Sequence, residues 1–194
     1  TALHRAMESS GRIDICRALL GKGADLTRHD LENRTPLHNF FNDTTSNFIL
    51  NQKDLVDELE LDWYGMSILH HAAWSSQSQP ELFSYFLKRQ PALYDVPDHE
   101  GKSLLHYASE HGNIPLMEYL CSFPNARIAH SDATGRTPIH YAVRSRRVQA
   151  IDVLVSKGAD IFSVGARGWN PLHEAVQRTM SGQLLMCASF LGIR

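Results

Sequence analysis

Asp132-Ala133-Thr134-Gly135-Arg136-Thr137-Pro138-Ile139-His140 reads as a turn running directly into a helix. Gly135 permits the positive φ of a tight reversal. Thr137 is a good N-cap, since its hydroxyl can accept a hydrogen bond from a free amide of the first turn. Pro138 suits the first helical position, where its missing N–H is not needed. The spacing predicts a short helix over roughly 138–145. A second helix follows, in which Val148, Ile151, Val153, Leu154 and Val155 give a wide apolar face. Lys157-Gly158-Ala159-Asp160 closes it, with glycine where a helix C-terminus wants the left-handed conformation. Neither helix can bury its apolar face within one such unit, so the unit has to stack on copies of itself.

The copies are present. The phrase recurs as Thr1-Ala2-Leu3-His4, Thr35-Pro36-Leu37-His38, Ser67-Ile68-Leu69-His70, Ser103-Leu104-Leu105-His106 and Asn170-Pro171-Leu172-His173, with successive histidines 34, 32, 36, 34 and 33 residues apart. A period near 33 carrying a T-P-L-H phrase resembles the ankyrin repeat, and the resemblance covers nearly the whole chain. It implies an all-α fold: an α-solenoid of stacked helix-turn-helix units with hairpin-like β-turn loops. One domain is expected over residues 1–194, with repeats at about 1–29, 30–61, 62–97, 98–131, 132–164 and 165–194. It also implies that the six repeat histidines bridge backbone groups at the start of each first helix, so they are scaffold.

Composition narrows the function classes. The chain has 194 residues and a net charge of −2, with a pI near 6.6. Neither a nucleic-acid nor a membrane footprint follows from such a balance. The longest strongly apolar run, Leu184 to Ile193, is too short to span a bilayer. Cys16, Cys121 and Cys187 each fall in an apolar second helix, which points to reduced core thiols and an intracellular protein. The chain begins at a helix cap, and both ends lack the polar outer faces of terminal repeats. The expectation is therefore a fragment of a larger protein.

Four places break the pattern. Phe40 takes the slot that Ala6, Ala72, Ala108, Ala142 and Ala175 hold elsewhere, a small position where neighbouring first helices approach closely. The segment after it, with Asp54, Asp57, Glu58, Glu60 and Asp62, reads as a solvated loop or as an acidic contact surface. Ser75 to Pro80 reads as a polar loop. Arg146 stands where the inter-helix turn usually has glycine, which is costly unless the turn adjusts.

No chemistry-bearing motif emerges. The remaining histidines, His29, His71, His99, His111 and His130, have no partners at zinc-ligand spacing, and the glycines are turn and cap glycines. No catalytic residue, metal site or cofactor is expected. Family resemblance implies that partners contact the hairpin tips and the exposed side of the first helices, the concave face. Those positions hold Trp63, Tyr64, Met66 and Trp74 in the third repeat; His99, Glu100 and Glu110 in the fourth; Arg136 and Arg144 in the fifth; and Arg167, Trp169 and Arg178 in the sixth. Tryptophan and tyrosine supply large contact area at low side-chain entropy cost. The leading reading is a monomeric, non-catalytic module that binds a protein or peptide through an aromatic anchor at repeat three, with arginines steering acidic partners. The same rings would alternatively serve only to cover neighbouring hairpins. A further reading is a regulatory or targeting segment of a multidomain protein whose catalytic or nucleotide-driven part lies elsewhere.

Overall fold

The computed structural model describes residues 1–8, 13–39, 60–75, 80–165 and 167–179; side chains beyond Val176 are outside that set. The chain divides into two compact units, Thr1–His99 and Glu100–Arg194. In the first unit lie α1 (Ala2–Glu8), α2 (Ile13–Gly21), a 3-10 turn at Pro36–Asn39, α3 (Ile68–Trp74), α4 (Pro80–Arg89) and a 3-10 turn at Pro91–Tyr94. The second unit holds α5 (Leu104–His111), α6 (Ile114–Leu120), α7 (Pro138–Ser145), α8 (Val148–Ser156) and α9 (Pro171–Thr179). Among the described residues the only β pairing outside named strands is an isolated antiparallel bridge between Leu61 and Ser67, at the base of a hairpin.

The expected helix over 138–145 is α7, starting at Pro138 behind the Thr137 cap. Ser67 and Ser103 cap α3 and α5 in the same way, without the proline. Asn170 caps α9 by accepting the backbone N–H of His173 at 3.0 Å. The small slot is buried wherever it is described: Ala6, Ala72, Ala108, Ala142 and Ala175 are all at or below 5% exposure. A methyl there lets successive first helices pack closely, and any larger side chain would push them apart. Phe40, which departs from this rule, lies outside the described residues.

One expectation about packing needs correction. The apolar face of α8 is narrower than the pattern implied. Ala150, Ile151 and Leu154 are buried, whereas Val155 is exposed. These three stand at i, i+1 and i+4 and so share one face of the helix. Val155, one turn beyond Ile151, lies at the edge of this face and is exposed. The core of each unit otherwise comes from both helix types: Leu3, Leu69, Leu82, Phe83 and Phe86 in the first, and Leu104, Leu116, Met117, Ile139 and Tyr141 in the second.

Arg146 does not escape its position. It sits at φ 61°, ψ 18° as the C-cap of α7, with its N–H bonded to Val143 O. Gly112 performs the same job after α5 at φ 61°. The left-handed conformation costs a side-chain-bearing residue roughly 1–2 kcal/mol. Replacing Arg146 by glycine removes that strain, while greater freedom in the unfolded chain takes some of the gain back. Arg146→Gly should therefore raise stability by about 0.5–1 kcal/mol, measured as a higher urea midpoint with an unchanged slope.

Candidate partner-binding face

Each repeat begins with one small polar device. In α7 the backbone N–H of Thr137 donates to His140 Nδ1 at 3.2 Å, and the Thr137 hydroxyl lies 3.0 Å from the same nitrogen. Since Nδ1 accepts, Nε2 carries the proton. Nε2–H then donates to the carbonyl of Trp169, 29 residues on, at 3.2 Å. His106 does the same between Ser103 and Arg136, at 3.1 Å to each. His4 joins the Thr1 cap to the carbonyl of Arg34 at 2.9 Å. One imidazole thus satisfies an orphan donor at its own helix and an acceptor in the next hairpin.

A second device shapes the hairpins, and the sequence reading had treated it only as turn composition. An aspartate opens the turns of repeats two to five. Asp132 Oδ1 accepts from the backbone N–H groups of Thr134 and Arg136 at 2.8 and 2.9 Å, and from the Thr134 hydroxyl at 2.7 Å. Asp62 accepts from the N–H groups of Tyr64 and Met66, both at 2.9 Å. Asp30 accepts from those of Glu32 and Arg34, at 2.8 and 2.9 Å. The other oxygen is clasped from elsewhere: by Tyr141 for Asp132, by His71 for Asp62 at 2.8 Å, and by the Arg34 guanidinium for Asp30 at 2.8 Å. The signal was present in the sequence. Asp30, Asp62, Asp98 and Asp132 recur 32, 36 and 34 residues apart. The sixth hairpin breaks the series, with Gly165 at that place and Glu174 in the slot of Tyr141.

These bonds set the ionisation of the groups. Against the effect of burial, hydrogen bonds from Arg34 and from the turn hold Asp30 at about 2. Asp132 is likewise lowered despite burial, by Tyr141 and Thr134. Burial, reinforced by Asp132, raises the Tyr141 phenol well above its ordinary range. His38 is lowered to about 4, first by burial and then by neighbouring His71, whose ring meets it edge-on at 5.4 Å. His71 and His140 are lowered chiefly by burial. Cys16 and Cys121 are buried free thiols, held in the protonated form by desolvation; Cys187 lies outside the described residues.

The structure sorts the expected contact residues into distinct groups. Trp63 and Tyr64 occupy a hairpin tip at 66% and 59% exposure, and Trp74 at the end of α3 is 54% exposed. His99 is exposed in the same unit, and Glu100 and Arg167 are exposed in the other. Met66 departs from expectation. At 6% exposure it belongs to the core, because it lies on the returning arm of the hairpin, past the turn glycine. Trp169 is half-buried, and its carbonyl serves His140. The side chain of Arg178 lies outside the described residues. Leu31, which the sequence reading passed over, is 88% exposed at the preceding tip. A leucine in an irregular repeat carried no aromatic signal to mark it.

The basic cluster is largely engaged within its own unit. Arg136 Nε donates to Glu174 Oε1 at 2.9 Å. Arg144 meets Glu110 at 3.2 Å and lies over the Tyr141 ring at 5.4 Å, so two residues expected to face a partner face each other. Arg147 donates to the Gly112 carbonyl at 3.1 Å. Thr134, Arg136, Gly165, Arg167, Trp169 and Glu174 line a small open cleft between the last two hairpins. Among the described residues no group of three or more His, Cys, Asp or Glu is placed to hold a metal ion, and no helix is long and apolar enough to cross a membrane.

Two measurements check these devices. Asp132→Ala removes a charged acceptor from four donors, and hydrogen bonds to charged groups are worth about 1.5–3 kcal/mol each. The variant should lose about 3 kcal/mol of unfolding free energy, with Tyr141 left unpartnered. The second check is pH. A histidine lowered on folding binds more protons when unfolded, so its stability contribution is complete above its unfolded pKa near 6.5 and declines below it. For His38, falling from 6.5 to about 4, the loss by pH 5 is roughly 2 kcal/mol. The lowered aspartates add nothing to this window, since their contribution is lost only below about pH 4. A urea midpoint that stays flat from pH 7.5 to pH 5 would contradict this account.

Comparison with known proteins accords with the repeat geometry. The family described as ankyrin repeats (3 copies) matches residues 3–93 and 76–164. Human inversin is 29% identical over 162 residues, covering 80% of this chain and 15% of inversin. The chicken nuclear factor NF-kappa-B p105 subunit is 30% identical over 162 residues, covering 78% of this chain and 16% of that protein. The fruit-fly tyrosine-protein kinase Shark is 30% identical over 115 residues, covering 59% of this chain and 12% of the kinase. The chain thus spans about a sixth or less of these relatives. With capped helices at the repeat spacing, histidine bridges to the following hairpin and a family match over most of its length, this chain belongs to the ankyrin repeat family.

Proposed function

We propose that the chain is a non-catalytic protein-interaction module whose partner contacts the hairpin tips and the open side of the first helices, with Trp63, Tyr64 and Trp74 as anchors. Ankyrin repeats are protein–protein interaction modules, which supplies the general part of this reading. The observation that carries the specific part is the exposure of these three aromatic side chains, each above half. A ring that only covered its own hairpin would have most of its surface against protein. Large aromatic side chains left in water at rigid positions are what binding hot spots are made of. His99, whose backbone N–H donates to the Tyr64 carbonyl, belongs to the polar rim in this reading. Arg136, Arg144 and Glu110 support the scaffold, because their charges are matched internally.

An intracellular setting accords with the buried thiols of Cys16 and Cys121, which are not in a disulfide among the described residues. The relatives, of which the match covers a sixth or less, favour a role as one module of a longer protein.

The test separates binding from packing. Trp63→Ala and Trp74→Ala should each change unfolding free energy by less than about 0.5 kcal/mol, as exposed substitutions do. Each should weaken a partner captured from cell extract by about 1–4 kcal/mol, roughly fivefold to a thousandfold. A large loss of stability with unchanged affinity would refute the anchor role.

A further inference from the structure

The interaction reading does not say what kind of partner fits. The aspartate-opened hairpins at Asp30–Asn33 and Asp62–Gly65, both in the Thr1–His99 unit, supply an answer. Their tips carry Leu31 and Trp63, the two most exposed large apolar side chains among the described residues, with Tyr64 beside Trp63. The two tips are tied together. Trp63 N–H donates to the Glu32 carbonyl at 3.1 Å, and the Asn33 side-chain amide donates to the Leu61 carbonyl at 2.9 Å. Asn33 holds φ 59° at the turn, where Gly65 holds 74°. Each turn is further pinned by its aspartate. Leu31, Trp63 and Tyr64 are therefore presented side by side on a fixed frame, which lowers the ordering cost of binding.

The charge around this trio is acidic on balance. The two hairpins and their flanks hold four carboxylates, Asp30, Glu32, Glu60 and Asp62, against two guanidiniums, Arg28 and Arg34. Arg34 is already shared between Asp30 at 2.8 Å and Glu32 at 3.1 Å. Glu60 has the His29 imidazole at 3.3 Å, a counter-charge only when protonated. The faces of Trp63 and Tyr64 add the negative quadrupole of aromatic rings, which attracts cations. An acidic segment would be repelled here. The arginines that might have drawn one belong to the other unit, and three of them are held by Glu174, Glu110 and a backbone carbonyl.

We propose, resting on the interaction reading above, that this pair of fingertips receives a basic, apolar peptide segment of a partner protein. Its arginine or lysine side chains lie over Trp63 and Tyr64 within the acidic surround, and an apolar residue covers Leu31. The occupant is cationic, which reverses the expectation of acidic partners drawn from the arginine count.

The test uses the full chain and three blocked synthetic peptides of equal length, alternating leucine with arginine, glutamine or glutamate. Binding is followed by the anisotropy of a dye on the peptide, at physiological and at raised salt. The arginine–leucine peptide should bind at least about tenfold more tightly than the glutamate–leucine peptide, with affinity falling as salt rises. Trp63→Ala/Tyr64→Ala should reduce that affinity at least about tenfold with an unchanged melting curve, and Glu32→Gln should reduce it several-fold. Phe162→Ala, an exposed ring in the other unit, should leave it unchanged. Equal binding of all three peptides, still lost in the tryptophan–tyrosine variant, overturns the cationic partner and leaves the fingertip anchor standing. Arginine–leucine binding that survives that variant overturns the site. Tighter binding of the glutamate peptide, or no binding of any, overturns the proposal. None of these results alters what the captured natural partner reports about Trp63 and Trp74.

Discussion

The imidazole at the start of each first helix is the joint on which the repeats depend. In His106 and His140, Nδ1 takes the cap residue's N–H and Nε2 donates to a carbonyl in the next hairpin. Both groups would otherwise be buried without partners, each at a cost of about 1–3 kcal/mol. Only a neutral ring of one tautomer can be acceptor on one side and donor on the other. The environment enforces that state, because burial disfavours the charged ring, as the lowered pKa of His140 records. The chemistry that makes histidine useful elsewhere is thereby suppressed. His4, His106 and His140 are thus structural, each bridging its cap to the next hairpin.

The aspartate clasp completes the joint. One carboxylate oxygen gathers the turn's amides, and the other reaches a residue that stands apart from the turn. The hairpin is thus bonded to the helix that follows it. This is why tip residues can be large and apolar without collapsing onto the body of the protein. The turn is held from below by Asp62 and from the side by the neighbouring hairpin's carbonyl. Trp63 and Tyr64 need contribute nothing to the fold, which leaves them available for binding.

Charge shows how a residue's type and its role separate. Arg136, Arg144 and Arg147 look like a basic surface when counted along the chain. In the fold each finds an acceptor from another repeat, since a stack places residues about 30 apart within bonding distance. Around Trp63 the opposite holds. Acidic groups gather from two adjacent hairpins, and the one central guanidinium is divided between two of them. The sign of the field at the exposed aromatics comes from that inter-repeat sharing.

Much of the architecture was legible in the residues alone. The T-P-L-H phrase, the cap chemistry and the buried alanine slot are local rules repeated at one period, and local rules survive in any reading of a chain. The start of α7 at Pro138 and its end at Ser145 followed from them. Tertiary structure decided the rest. Met66 is core and Trp63 is surface although both sit within one turn of sequence, because the turn glycine sends the two arms in different directions. Val155 is exposed although the apolar run includes it, because it stands at the edge of the face that packs into the core. Leu31 is a surface residue because it stands at the tip of a hairpin whose Glu32 carbonyl is bonded to the Trp63 N–H. Sequence periodicity determined which positions build the stack. The pairing of side chains from different repeats, which no single repeat can encode, determined which of the others remain free to meet a partner.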